Sequence, residues 1–528
     1  MNRAIAPGFA TEWLRPTMNE RHSKEFKVNS AAPILAAFLL MQASVVVAQQ
    51  PSATPPIERP VTRKLKSFVT QHRGVFNGTT VEYTATVAET ILPDPAGKPA
   101  ASLVSIAYTR TNEGQTSTRP VTFIFNGGPG SSSVWLHMAA LGPRRASVPP
   151  DGKLTGSPPY SIVDNQYTLL DVTDLVFIDP IGTGYSRLLP GAKPEDFYGT
   201  IEDGRSMCDF LSAWLTANKR WNSPKFVAGE SYGTIRAAEM AKQLPGYGIF
   251  LNGVVLFGQA MDFTQTTPIP GFDLSYLLYL PSMAATAWYW NKVNKSGKTL
   301  AGFVDEARKF AQTDYAAALF AGSGLAAEQR TRIATRLAEL TGLSQKVILD
   351  NDLRVNGNQF CAELLKQEGK VLSRYDARYV VTAAKGPNEP ALSDPIGTNI
   401  GANLSTVLNE YLRKELAVEI DDKYETIARL RWNNNEPPPG MRLGVYENVA
   451  PYLGAAMRQN TDLRVFVGNG YYDMLTPLFS AEHTVAHAGM PLERVTFAYY
   501  HAGHMPYLGE ENLKQLCADL RTFITAKS

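Results

Sequence analysis

Residues 229–233 read GESYG and lie between an apolar run, residues 225–228 (KFVA), and a stretch with helical spacing, residues 234–244. A strand that turns this sharply into a helix leaves no space for side chains two positions either side of its tip. That is why glycine flanks the serine, and why the central residue is held in strained backbone geometry. Ser231 is therefore predicted to stand exposed above the N-terminus of the helix, the station of a nucleophile.

A serine hydroxyl is a poor nucleophile until a histidine takes its proton, and the histidine needs a carboxylate to fix its tautomer. The elbow thus predicts a loop acid and then a loop histidine, each following a core strand. The strand-like run 463–467 (LRVFV) leads into GNGYYDMLTP, which holds Asp473, and the run 495–500 (VTFAYY) leads into HAGHMPY, which holds His504. His501 is a rival base at the strand end, but His504 lies beyond the turn glycine Gly503, where a side chain reaches across to another loop. His483 and His487 form HxxxH, yet Thr484 stands where a zinc peptidase needs glutamate, so both read as ordinary helix residues. Charge that builds on a carbonyl oxygen needs preorganised backbone donors. Asn126-Gly127-Gly128-Pro129-Gly130, after the apolar run 121–125, is the glycine-rich loop that would supply them.

Around these motifs the chain reads as α/β. Residues 79–88 and 101–110 alternate like an antiparallel pair. The runs 121–125, 175–178 (ending in DPIGTG) and 253–258 are apolar throughout, as in a sheet covered on both faces, and residues 202–219 read as a helix between two of them. From 263 to 440 there are helical stretches, such as 325–340 and 404–416, and no alternating strands, which reads as a helical insertion ending at the breaker NNNEPPPG. Strands resume after it, and residues 511–526 form a closing amphipathic helix. No internal repeat is visible.

Bulk properties narrow the partners. The 51 Lys and Arg against 49 Asp and Glu leave a net charge of +2 with no dense basic block, so a nucleic-acid partner has no electrostatic footprint. Cys208, Cys361 and Cys517 allow at most one disulfide and fit no metal spacing, so buried thiols are expected and no metal or cofactor is called for. Residues 31–48 are apolar behind Arg21, Lys24 and Lys27, with Pro33 and Gln42 inside, which reads as a cleaved export signal; an uncleaved membrane anchor is the alternative. The expected organisation is a signal over 1–48, a linker over 49–75 that is proline-rich to residue 63, core over 76–262, helical cap over 263–440, and core over 441–528.

FNGGPGSSS, DPIGTGYSR, GESYG, the Asp473 loop and AGHMPY occur in the order and contexts of the serine carboxypeptidases, the peptidase S10 family, and the chain resembles a bacterial-type member from residue 79 to 528. The resemblance implies an α/β-hydrolase fold with a largely helical cap. It further implies Ser231 as nucleophile, Asp473 as orienting acid, His504 as base, and the N–H groups of Gly128 and Tyr232 as oxyanion hole. Asn126, Gly127 and Glu230 would hold the substrate's terminal carboxylate. A glutamate donates to a carboxylate only when protonated, so release of C-terminal residues is expected to be favoured at acidic pH.

Departures accompany the resemblance. The family often has Trp before the Asn, where this chain has Phe125, and Cys where it has Ser131. Ala140 occupies the place of a glutamate that pairs with the equivalent of Glu230, and Arg144, Arg145 and Arg236 lie close in sequence, so a cationic grip on the carboxylate is an alternative expectation. The function these residues imply is a peptide-cleaving carboxypeptidase working through an acyl-enzyme. An esterase or acyltransferase with the same triad, or a non-catalytic binding protein on this scaffold, are the alternatives. Met18 is an alternative translation start: N-terminal sequencing of the precursor should find it, and a precursor beginning at Met1 would reject it.

Overall fold

The computed structural model describes residues 67–111, 118–149, 152–384, 389–433 and 447–526. The expected signal over 1–48, most of the linker, and the cap's boundary at 440 lie outside the described residues.

The apolar runs form the middle of one sheet. Val121–Phe125, Asp174–Asp179, Lys225–Glu230 and Gly253–Phe257 are buried at every position. With Ser67–Phe76, Thr79–Pro93, Pro99–Arg110, Arg464–Gly470 and Val495–Tyr500 they make nine strands, labelled β1 to β9 in chain order. Their spatial order is β1-β2-β3-β5-β4-β6-β7-β8-β9, and a tenth, Arg187–Leu188, pairs with the end of β3. The first joins are antiparallel, and every join from β5 to β9 is parallel.

Because strand side chains alternate, the two faces bury different residues. Phe123, Val176, Val227 and Leu256 pack with helices Thr200–Ala217 (α1) and Tyr232–Gln243 (α2). Ile124, Phe177, Ala228 and Val255 pack on the other side with the closing helix Glu510–Thr525 (α3). This is the α/β-hydrolase fold, with an antiparallel extension at one edge. Strand β4 has β5 on one side and β6 on the other, so the chain leaves it in both directions, and the carboxyl ends of these strands are the switch point at which open α/β sheets bind ligands. The residues after β4, β6, β7, β8 and β9 all gather there.

The linker expectation needs correction. Residues 67–75 belong to β1, which pairs along its whole length with β2 through a tight turn at Asn77 and Gly78, with φ of 47° and 76°. Asn-Gly at such a turn is a strong hairpin signal. The strand alternates between exposed and half-buried positions, so no apolar face announces it, and its ladder with β2 defines it.

Among the described residues, 263–433 add no strand to the main sheet. Helices such as Leu274–Tyr289, Ala327–Thr341 and Gly401–Lys414 dominate, together with a short hairpin, Lys370–Leu372 with Val380–Thr382. Much of the segment has its own apolar cluster, which also takes in Tyr472 and Met474 from the loop after β8. Among the described residues, no helix is long and apolar enough to cross a membrane.

The elbow sets the tightest steric limit. A Cβ on Gly229 would lie 2.2 Å from the carbonyl oxygen of Gly233, a backbone atom with nowhere to go. Gly229→Ala should therefore lose about 2–3 kcal/mol or more of unfolding free energy in urea titrations. Gly246→Ala, where nothing lies within 4 Å, should change it by under about 0.5 kcal/mol.

Candidate active site

Ser231 caps the N-terminus of α2 at φ 58° and ψ −126°, a strained region for a residue with a side chain. Its N–H donates to the carbonyl of Phe257 at the end of β7 (2.9 Å), and its own carbonyl accepts from Thr234 N and Thr234 Oγ1 (2.9 and 2.7 Å). The residue is half-buried, whereas Glu230 and Tyr232 on either side are buried.

Asp473 and His504 arrive from the ends of β8 and β9. Asp473 is fully buried and accepts four hydrogen bonds: Leu475 N (2.7 Å) and Thr476 N (2.9 Å) on Oδ1, Thr476 Oγ1 (2.6 Å) and His504 Nδ1 (2.9 Å) on Oδ2. A carboxylate so held is fixed in orientation, and it places the imidazole proton on Nδ1, leaving Nε2 as the acceptor. Burial presses the His504 imidazole down; the charge and hydrogen bond of Asp473 outweigh that, so it sits above its usual range. The ring stands beside the elbow, since a Cβ on Gly258, next to Phe257, would lie 2.8 Å from His504 Nδ1. Among the described residues Ser231 Oγ has no hydrogen-bond partner, and such bonds commonly tighten only with substrate bound. His501 is exposed and touches Tyr471 and Tyr472 instead. His483 and His487 stack on each other, and no group of three or more metal-binding side chains exists among the described residues.

The loop after β4 lies directly on the elbow. A Cβ on Gly127 would come within 2.4 Å of Tyr232 N, so the two backbones touch only because no side chain intervenes. Gly128 is exposed at φ +107°, and neither its N–H nor that of Tyr232 donates to another described residue. DPIGTG supports this loop from beneath: Asp179 Oδ1 accepts from Ser133 N and Ser133 Oγ, both at 2.9 Å, and from Tyr424 Oη at 3.0 Å.

Glu230, the residue before Ser231, is 4% exposed. Its Oε1 accepts from Asn126 Nδ2 at 3.0 Å and its Oε2 from Tyr507 Oη at 2.5 Å, while Asn126 Oδ1 accepts from Leu136 N at 3.1 Å. Burial pushes the Glu230 carboxyl up to about 7, against the opposing pull of His504, Tyr507 and Asn126. The structure thus brings Asn126 and Glu230 together as expected, but it overturns the cationic alternative. Arg236 binds Asp203 and the carbonyl of Asn126, Arg144 binds Asp164 and Glu415, and Arg145 binds Glu510. Nearness in sequence misled, because successive residues on a helix or strand face different neighbours. Ala140 is buried in the core, and Tyr507 partners Glu230 instead.

The turn of the short hairpin, residues 373–379, also reaches the site. His504 N donates to the carbonyl of Tyr375 (2.5 Å), Gly503 N to Asp376 Oδ2 (2.9 Å), Met474 N to the carbonyl of Arg374 (3.0 Å) and Ala377 N to the carbonyl of Tyr472 (3.0 Å). Asp376 is held in turn by Arg378, Nε to Oδ1 at 2.9 Å and Nη2 to Oδ2 at 2.6 Å, with both residues buried. One turn therefore ties the Asp473 loop to the His504 loop. Sequence reading missed it: Asp376 is 127 positions from Gly503, and no local pattern connects them. Tyr507 was within reach, since it belongs to the AGHMPY motif.

Fold and site together define an α/β-hydrolase with a serine at its elbow and an Asp–His pair beside it. Residues 107–246, which hold both NGGPGSSS and GESYG, match the profile of the Peptidase S10 family, serine carboxypeptidase. Two Arabidopsis thaliana proteins are similar over part of the chain. Serine carboxypeptidase-like 33 is 30% identical over 129 residues, 24% of this chain and 25% of that one. Serine carboxypeptidase-like 20 is 29% identical over 139 residues, 26% and 27% of the two chains. The match spans about a quarter of the length of these relatives. Among solved structures, Kex1(Δ)p, a prohormone-processing carboxypeptidase from Saccharomyces cerevisiae, superposes with a TM-score of 0.49 at 15% identity, covering 83% of this chain and 90% of that one. Proline iminopeptidase from Mycobacterium smegmatis gives 0.36 at 14% identity, covering 83% and 97%.

The Glu230 carboxyl has consequences for stability. Its folded value, about 7, lies above its ordinary 4.5, so the folded state holds the proton more tightly than the unfolded chain. That contribution is complete below pH 4.5 and is lost as pH rises toward 7, roughly 3 kcal/mol in all. Glu230→Gln, which cannot ionise, should gain unfolding free energy relative to the native protein between pH 5 and pH 8 in urea titrations. A difference that stays constant with pH would contradict this origin.

Proposed function

We propose that the chain is a serine carboxypeptidase that releases C-terminal residues from peptides. The observation that carries the reading is Glu230, whose buried, proton-retaining carboxyl stands joined to Asn126 immediately beside the nucleophile. A hydrolase of internal bonds has no use for such a pair, whereas a chain end presents a carboxylate that both groups can hold.

The chemistry follows from the named atoms. Ser231 Oγ attacks the carbonyl carbon of the last peptide bond as His504 Nε2 takes its proton, and Asp473 stabilises the imidazolium. The oxyanion meets the N–H groups of Gly128 and Tyr232. His504 then gives the proton to the departing amine, the C–N bond breaks, and water, deprotonated by the same histidine, hydrolyses the acyl-enzyme. Asn126, the Gly127 N–H and protonated Glu230 hold the terminal carboxylate and set the register of the scissile bond. These steps need no metal or cofactor.

The N-terminal sequence pattern supports an exported protein, periplasmic or secreted, and the three buried free thiols with Ser131 support a bacterial-type member. Our reading of the segment 263–440 as a cap over the site is supported by the contacts of residues 373–379 with the Asp473 and His504 loops.

The test is mass spectrometry of a blocked peptide and its C-terminal amide after incubation with the protein. Stepwise loss from the free C-terminus, slowed by amidation and abolished in Ser231→Ala, is the expected result. Internal cleavage, or ester hydrolysis without peptide cleavage, would favour an esterase or acyltransferase, and failure of a fluorophosphonate to label Ser231 would favour a binding protein. Between pH 4 and 9, kcat should fall on the acid side as His504 gains a proton. KM for the peptide acid should rise on the alkaline side as Glu230 loses one, and a flat profile would overturn the assignment of both groups.

A further inference from the structure

We propose that Tyr507 is the positioning residue of the carboxylate subsite, holding Glu230 in place through its phenol and thereby setting the upper pH limit at which a peptide's free C-terminus is bound. The inference rests on the carboxypeptidase reading and goes beyond it by assigning a residue that lies outside the triad, the oxyanion loop and the direct grip.

Two side chains bracket the Glu230 carboxyl: Tyr507 Oη donates to Oε2 at 2.5 Å and Asn126 Nδ2 donates to Oε1 at 3.0 Å. All three side chains are buried. Without Tyr507, Oε2 would face its surroundings with no donor, and a buried carboxylate missing a partner is held poorly.

A phenol is suited to this station because it works in both protonation states of its partner. Burial and the nearby Glu230 push the Tyr507 phenol well up, so it stays neutral throughout the working range. Facing a carboxylate it donates to the charge; facing a carboxylic acid it still donates to Oε2, which leaves the acid's own proton free for the peptide's carboxylate. Donation to a charge is the stronger of the two, so Tyr507 draws Glu230 toward ionisation, against burial, which holds the proton on. The other groups that bear on Glu230 are His504 from the same loop as Tyr507, Asp473 from the loop after β8, Asn126 from the loop after β4 and Tyr375 from the hairpin turn. Arg236 on α2 is turned to Asp203 and the Asn126 carbonyl.

Position in the chain strengthens the assignment. Tyr507 follows His504 on one short loop, closed by Leu508 N on the carbonyl of Met505 (3.1 Å) and pinned by Asn512 Nδ2 on the carbonyls of Leu508 (2.7 Å) and His501 (2.9 Å). The base and the residue that disciplines the grip are thus parts of one rigid piece. The scissile bond and the terminal carboxylate are registered against each other through it.

The experiment compares KM between pH 5 and pH 9 for a blocked dipeptide acid and for its methyl ester. It uses the native protein, Tyr507→Phe, and protein carrying 3-fluorotyrosine at position 507, which keeps the shape and is a stronger donor. In the native protein KM for the acid should rise near neutral pH while KM for the ester does not. Tyr507→Phe should move that rise upward by about one pH unit or more, and fluorotyrosine should move it downward. A rise at the same pH in all three would overturn the role of Tyr507 while leaving the carboxypeptidase reading standing. Equal KM profiles for acid and ester in the native protein would instead remove that reading, and this inference with it. Should Tyr507→Phe fail to fold, the fluorotyrosine shift decides.

Discussion

Two backbone turns lie against each other with no side chain between them, and the site depends on that contact. The turn after β4 presses Gly127 onto the elbow, where a Cβ would sit 2.4 Å from Tyr232 N. Across the elbow itself, Gly229 and Gly233 allow a similar approach. Because the contact is between main chains, the turn is held against the backbone of Tyr232 and Gly233, next to Ser231 with its strained φ of 58°. Asp179 braces the arrangement from below through Ser133, which explains why DPIGTG and NGGPGSSS accompany each other in the chain.

The second tier is built from hydrogen bonds rather than from close packing. Asp473 and His504 come from separate strands, and the turn at 373–379 bonds to both of their loops. A buried Arg378–Asp376 pair at the centre of that turn leaves little freedom, since breaking either partner would strand a charge away from water. The inserted segment is therefore joined to the Asp473 and His504 loops by backbone contacts, and its conformation and theirs are linked physically.

Much of the architecture was legible in order. Fully apolar strands, the glycine-flanked Ser231, the loop acid and the loop histidine each carry a local signal: burial on both faces, a turn too tight for side chains, or a polar residue after a core strand. Strand β1 was not legible as a strand, because neither of its faces is fully buried and only the Asn77-Gly78 turn marked it. Arg144, Arg145 and Arg236 were misread for a related reason. A cation's partner is chosen in space, and Asp164, Glu415, Glu510 and Asp203 lie where sequence order gives no hint.

By itself, the sequence determined the sheet's buried strands, the elbow, and the loops after core strands that carry Asp473 and His504, because each of these is encoded in a short stretch by period, sterics or turn chemistry. Only the tertiary structure decided what surrounds Glu230. Its burial, its bond to Asn126 across 104 positions and its bond to Tyr507 across 277 depend on loops that meet at the carboxyl edge of the sheet. Proton affinity is a property of that meeting place, since it is set by lost water, nearby donors and nearby charge, and none of these is a property of a residue's neighbours in the chain.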